Sequence, residues 1–136
     1  PIHSSAASDV YKRQASDLAH NQNIRNLIKD TQRSFYDPNI GLIADGRDMG
    51  SVVFPEAGIK IYLDASIEER AKRRQIQLKE KGMEVNMRNL ISSLEDRDLK
   101  DKNRDVSPLL IPDGAKVIDS TNLSIDEVVN KIMDLI

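Results

Sequence analysis

A chain of 136 residues, 39% hydrophobic and 31% charged, is long enough for one globular core and too short for two of ordinary size. Its formal net charge of −2 gives no global pull toward nucleic acid or anionic membrane, and without cysteine there is neither a disulfide framework nor a thiolate metal site. No apolar run approaches a membrane span and no charged-then-apolar leader stands at the N-terminus; a reducing cytoplasm fits, and a core short of aromatics must rest on Ile, Leu and Val.

Residues 1–14, PIHSSAASDVYKRQ, show neither a strand-like nor a helix-like apolar period. They read as a tail foreign to the fold, similar to translated sequencing adaptor, with native sequence expected over 15–136. Ser16 is placed to cap a helix running to about Phe35, with Leu18, Ile24, Leu27, Ile28 and Phe35 on its apolar side. The stretch Tyr36-Asp37-Pro38-Asn39 breaks that helix, because Pro disfavours helical geometry at the residue before it. Gly41 to Asp45 is a short apolar run ending in a carboxylate, the pattern of a buried central strand. Two further runs, Ile59 to Leu63 before Asp64 and Lys116 to Ile118 before Asp119, read the same way. Helical patterns fill the intervals over 67–81, 86–103 and 124–135, the last opening with Ser124 and a Glu127 three residues on. Strands alternating with helices predict an α/β fold, a parallel sheet flanked by helices.

In an open parallel sheet, ligands collect beyond the carboxyl ends of the strands. Asp45-Gly46-Arg47-Asp48-Met49-Gly50 is expected there, with glycines permitting a tight turn, an Asp able to hold Mg²⁺ through water, and an Arg able to grip phosphate by two parallel hydrogen bonds. The bland alternative is a polar turn whose Arg and Asp pair with each other. From Ser66 to Arg104 lie 11 of the chain's 20 Lys and Arg, against 8 acids. Arg70 and Arg74 share a helix face and are spaced to close over a polyphosphate; the alternative is a solvated face on which Glu69 pairs with Arg73. Leu90, Leu94, Arg97, Asp101 and Arg104 fall within about 40° of one line on a helical wheel. An apolar stripe thus runs straight into Arg, Asp and Arg, either as a cleft that receives an anion or as an internal ion network, and low exposure is expected in both cases. His3 and His20 carry no ligand pattern, and neither a Cys/His metal spacing nor a Ser/His/Asp constellation stands out.

Four segments, GLIADGRDMGSVVFPEA, KIYLDASIEERAKRR, EDRDLKDKNRDVSPL and VIDSTNLSIDEVV, occur in family order and strongly resemble the central and C-terminal parts of bacterial cytidylate kinases. The resemblance runs from about Ala15 to the end. It implies a P-loop NTPase-type parallel sheet of the nucleoside monophosphate kinase kind, with a lid at about 66–104, and transfer of the γ-phosphate of ATP to CMP or dCMP. It also implies Ser16, Arg25 and Asp48 at the cytosine base, Arg47 and Arg104 on the CMP phosphate, and Arg97 and Asp101 at the ribose and phosphoryl region. Arg70 and Arg74 would face ATP, and Asp45 would reach Mg²⁺ through water; Arg74, Arg97 and Arg104 would act on the transferring group. The partners implied are small nucleotides, with neither nucleic acid nor membrane, and the family is expected to be monomeric. The G-x-x-x-x-G-K-[ST] loop that cradles ATP in such enzymes does not occur in these 136 residues. The chain is therefore read as an N-terminally incomplete domain, inactive alone and with apolar surface left uncovered; the same arginines would also serve a nucleotide- or anion-binding module without catalysis.

Overall fold

The computed structural model describes residues 21–103, 105 and 107–136. In chain order these form α1 (Gln22–Arg33), a π-helical turn (Met49–Val53), β1 (Ile61–Asp64), α2 (Ile67–Glu80), α3 (Met87–Asn103), β2 (Lys116–Asp119) and α4 (Ile125–Met133). The strands pair in parallel, Ile61 opposite Lys116 through Asp64 opposite Asp119. A parallel pair needs a long crossover, and here α2 and α3 supply it, packing on each other.

Local chemistry sets the helix ends. The Ser66 hydroxyl accepts from the Glu69 amide at 3.2 Å, and the Asn86 side chain accepts from the amides of Arg88 and Asn89 at 2.9 and 3.3 Å. Ser124 and Glu127 form the reciprocal capping box expected of them. At the end of α2, Gly82 takes a φ of +73°, a left-handed conformation that costs glycine little.

Among the described residues the buried apolar side chains are Ala71 and Leu78 of α2, Ile118 of β2 and Val53 of the π turn. A polar staple joins α2 to the strands. Arg73 donates to the Ser120 carbonyl at 2.6 Å and to its hydroxyl at 3.1 Å, while the Ser120 amide and hydroxyl both donate to the Asp64 carbonyl, at 2.8 and 2.9 Å. Ser120 is 2% exposed. The carboxyl ends of both strands are thus locked to α2, and the Glu69 pairing foreseen for Arg73 is present as well, at 3.0 Å.

Two expectations are corrected. The run Gly41–Asp45 is not a strand: β1 and β2 pair with each other, and no third strand lies beside this run among the described residues. An extended segment without a neighbour has no ladder for its backbone groups, and Ile43 is 99% exposed. The helix expected over 16–35 begins at Gln22, because the Asn21 side chain accepts from the amides of Asn23 and Ile24; Ser16 lies outside the described residues. The apolar surface expected to lie uncovered is found on α1 and just beyond its end, with Leu27 and Phe35 exposed. This helix meets the rest of the protein through its arginines.

Candidate functional site

Two consecutive residues build the centre of the site by reaching in different directions. Arg47 Nε donates to Asp101 Oδ2 on α3, and the Asp48 carboxylate accepts from Arg25 Nη2 on α1. Both acids are buried, Asp48 at 8% and Asp101 at 6% exposure, which carboxylates tolerate only when paired. The bland reading, in which Arg47 and Asp48 satisfy each other, does not hold. Asp101 also lies 3.9 Å from Arg97 Nε, and its carbonyl accepts from the Leu109 amide at 2.7 Å, drawing the following loop back onto the end of α3.

After Asp48 the backbone winds into the π turn, in which the Val53 amide reaches the Asp48 carbonyl at 3.2 Å and the Phe54 amide the Met49 carbonyl at 2.7 Å. Such turns are rare and concentrate at functional sites. Arg33, at the far end of α1, secures it by donating to the carbonyls of Val53 and Val52 at 2.7 and 3.3 Å. The glycines here give room and not unusual torsions: neither Gly46 nor Gly50 has positive φ. A Cβ on Gly46 would stand 2.9 Å from the Met49 side chain, and one on Gly50 would stand 3.1 Å from Pro112.

Between α1 and this turn lies a cleft of about 90 Å³ lined by Arg25, Asn26, Lys29, Asp48, Val53 and Ser107 among others. Pockets that take whole small molecules run from about 300 Å³, so this one has room for no more than part of one. Its lining supplies a guanidinium, an ammonium, an amide, a carboxylate and a hydroxyl, groups that read the edge of a heterocycle. Ser107 is held at φ +50° immediately before Pro108, a conformation uncommon for a non-glycine residue and of the kind that clusters at binding sites.

A second group of charges faces the ends of the strands. Arg70 donates to both carboxylate oxygens of Asp98, at 3.1 and 2.5 Å. Those bonds raise the pKa of Arg70 against the opposing effect of partial burial, helped by Asp64 at the end of β1 and Tyr62 within it, and the same bonds lower that of Asp98. Partial burial lowers the pKa of Arg97, and the nearby positive charges of Arg47 and Arg74 lower it further, against the pull of Asp101. Arg47, Arg74 and Arg97 therefore share one field, and cations that oppose one another are the arrangement a polyanion relieves. Arg74 also reaches Gln77 at 3.5 Å.

The low exposure expected of Arg97 is corrected: its side chain is 54% exposed, because α3 buries Asp101 and leaves the guanidinium one turn earlier at the rim. Arg104 and Ser16 lie outside the described residues. Asp45 is exposed. Among the described residues no three His, Cys, Asp or Glu side chains gather to hold a metal. A hard oxygen donor such as Asp45 nevertheless suits Mg²⁺, which is commonly held by one or two carboxylates, water and substrate phosphates.

The family model for cytidylate kinase matches residues 2–136. The chain belongs to the cytidylate kinase family. It is 54% identical over 119 residues to the cytidylate kinase of Colwellia psychrerythraea, covering 88% of this chain and 52% of that protein. The cytidylate kinase of Proteus mirabilis is 51% identical over 117 residues, covering 86% of this chain and 52% of the relative. Cytidylate kinase 1 of Haemophilus influenzae is 50% identical over 119 residues, with 88% and 51% covered. The chain thus spans about half the length of the curated relatives it matches.

Within this family member, sequence reasoning overlooked Arg33, Asp98 and Ser107. Arg33 carried no signal apart from being charged. Asp98 and Ser107 stood in the segment EDRDLKDKNRDVSPL, which marked neither an arginine partner nor a cleft wall.

Proposed function

We propose that this chain is the monophosphate-binding and lid-bearing part of a kinase that transfers the γ-phosphate of ATP to CMP or dCMP, giving CDP or dCDP and ADP. The observation that carries this reading is the paired anchoring of Arg47 to Asp101 and of Asp48 to Arg25, beside a small polar cleft, in a member of the cytidylate kinase family.

In this reading Arg25 and Asp48, with Ser16, contact the cytosine, the carboxylate accepting from an amino group and the guanidinium donating to ring acceptors. Arg47 and Arg104 hold the CMP phosphate, Asp101 keeps Arg47 in place and meets the ribose with Arg97, and Arg70 and Arg74 approach ATP over the segment 66–104. Asp45 is the residue to hold Mg²⁺ through water, and the ion, when bound, neutralises phosphate charge. Phosphoryl transfer asks little covalent work of the protein, so these residues act by positioning the acceptor oxygen in line and compensating charge. Closure of the lid keeps water from competing as acceptor. The family member is read as monomeric and cytoplasmic; no helix among the described residues is long and apolar enough to cross a membrane.

We expect the 136 residues alone to bind CMP without turning it over, since the phosphate-cradling loop motif is not among them. The test is ATP-dependent phosphorylation of CMP by this chain and by a fusion in which the Colwellia relative supplies the half it does not span. Activity of the fusion alone supports the reading. A fusion that folds and ignores CMP overturns the base assignment, and turnover by the chain alone overturns the requirement for the loop. The second reading, a nucleotide- or anion-binding module without chemistry, draws on the ion pairing already present at Arg25, Arg47 and Arg70; it requires CMP binding and an inactive fusion.

A further inference from the structure

Arg70 is engaged before any nucleotide arrives. Its two Nη atoms are matched oxygen by oxygen to Asp98, so that one guanidinium joins α2 to α3. The match leaves Arg70 Nε buried and without a hydrogen-bond partner, a penalised state for a charged donor group. A carboxylate and a phosphate present the same pair of in-plane acceptors to a guanidinium fork, and the phosphate brings more charge and a third oxygen. Asp98, for its part, has other cations at hand: Lys102, one helical turn on, and Arg47 both act on it.

We propose that Asp98 is a positioning residue that occupies Arg70 in place of phosphate, so that a polyphosphate binds by taking the guanidinium from it. The inference rests on the reading of Arg70 as an arginine that meets nucleotide phosphates. In the free chain Asp98 keeps Arg70 folded against α3 at the end of β1. On binding, the phosphate oxygens take the fork, Nε becomes free to donate, and the Asp98 carboxylate turns to Lys102. Asp98 thereby lowers the affinity for an anion that a purely structural residue would support or leave alone. The sign of its effect is the signature.

The experiment titrates the 136-residue chain with inorganic tripolyphosphate by calorimetry at fixed ionic strength, comparing wild type with Asp98→Asn, Asp98→Glu, Arg70→Met and the Arg70→Met/Asp98→Asn pair. Asp98→Asn is expected to bind about two- to fivefold more tightly, the size of a partly exposed ion pair, while its thermal midpoint without ligand falls. Asp98→Glu restores the wild-type affinity. The gain must vanish on the Arg70→Met background, and Asp96→Asn, which removes the same charge from the same helix, must give less. Weaker or unchanged binding by Asp98→Asn overturns the proposal, as does a gain that survives Arg70→Met, or no tripolyphosphate binding by any of the proteins. A parallel CMP titration separates the two ideas: an Asp98-dependent response without CMP binding sinks the kinase reading and leaves the exchange standing, whereas CMP binding with no Asp98 dependence does the reverse.

Discussion

Around β1, β2 and α2 the joints are enclosed: Ala71, Leu78 and Ile118 are buried, and Arg73 and Ser120 stitch helix to strand ends. Across the candidate cleft the joints are ionic and peripheral, for α1 leaves Leu27 in solvent and holds on through Arg25 and Arg33. The first region resists opening because every separation exposes apolar surface or strands a buried polar group. The second gives way when a few charge-assisted hydrogen bonds exchange, which is what a wall that admits and releases a ligand requires. Stability is concentrated in the first region, and the proposed recognition falls in the second.

The comparison is broken most severely at Ile118. Ile118→Ala should cost about 2–4 kcal/mol in urea unfolding followed by circular dichroism, whereas Leu27→Ala on exposed α1 should stay within about 0.5 kcal/mol; equal costs would mean that α1 is as much a part of the core as β2. Next comes Arg73→Met, which removes the donors to the Ser120 carbonyl and hydroxyl and should lower stability by about 1.5–3 kcal/mol, with CMP affinity nearly unchanged. The cleft is probed by Asp48→Asn, whose amide oxygen still accepts from Arg25. Its stability cost should be only about 1 kcal/mol, but the upward shift of the melting midpoint by CMP should disappear; a retained shift would remove Asp48 from the base contact. The smallest effect concerns acid. Arg70 holds the Asp98 carboxyl below its ordinary 3.8, so its contribution to stability is complete above about pH 4 and is lost as pH falls through the depressed folded value. Melting midpoints taken from about pH 6 to pH 2.5 should fall more steeply for wild type than for Asp98→Asn, and parallel curves would show the pairing absent in solution.

Much of this was legible in the chain because it was local. Ser66, Asn86 and Ser124 fixed the starts of α2, α3 and α4 through hydrogen bonds that span three residues, and β1 and β2 ended at the carboxylates expected of them. Gly41–Asp45 failed for the opposite reason, since a strand depends on a neighbour that its own pattern cannot name. The shared line of Arg97 and Asp101 on α3 was correctly seen, but a helical wheel does not tell how far along the helix cover extends, and the cover reaches Asp101 without Arg97. The partners of Arg25 and Arg47 were likewise out of reach, at separations of 23 and 54 residues. Two residues side by side gave no hint that they would bind to different helices.

That adjacency has a mechanical meaning. Arg47 is tied to α3 and Asp48 to α1, and a single planar peptide with about 3.8 Å between its Cα atoms joins them. A link so short and stiff stores little slack. If α3 moves, either α1 follows or one ion pair parts, so a displacement of one helix is felt by the other through one bond of the chain.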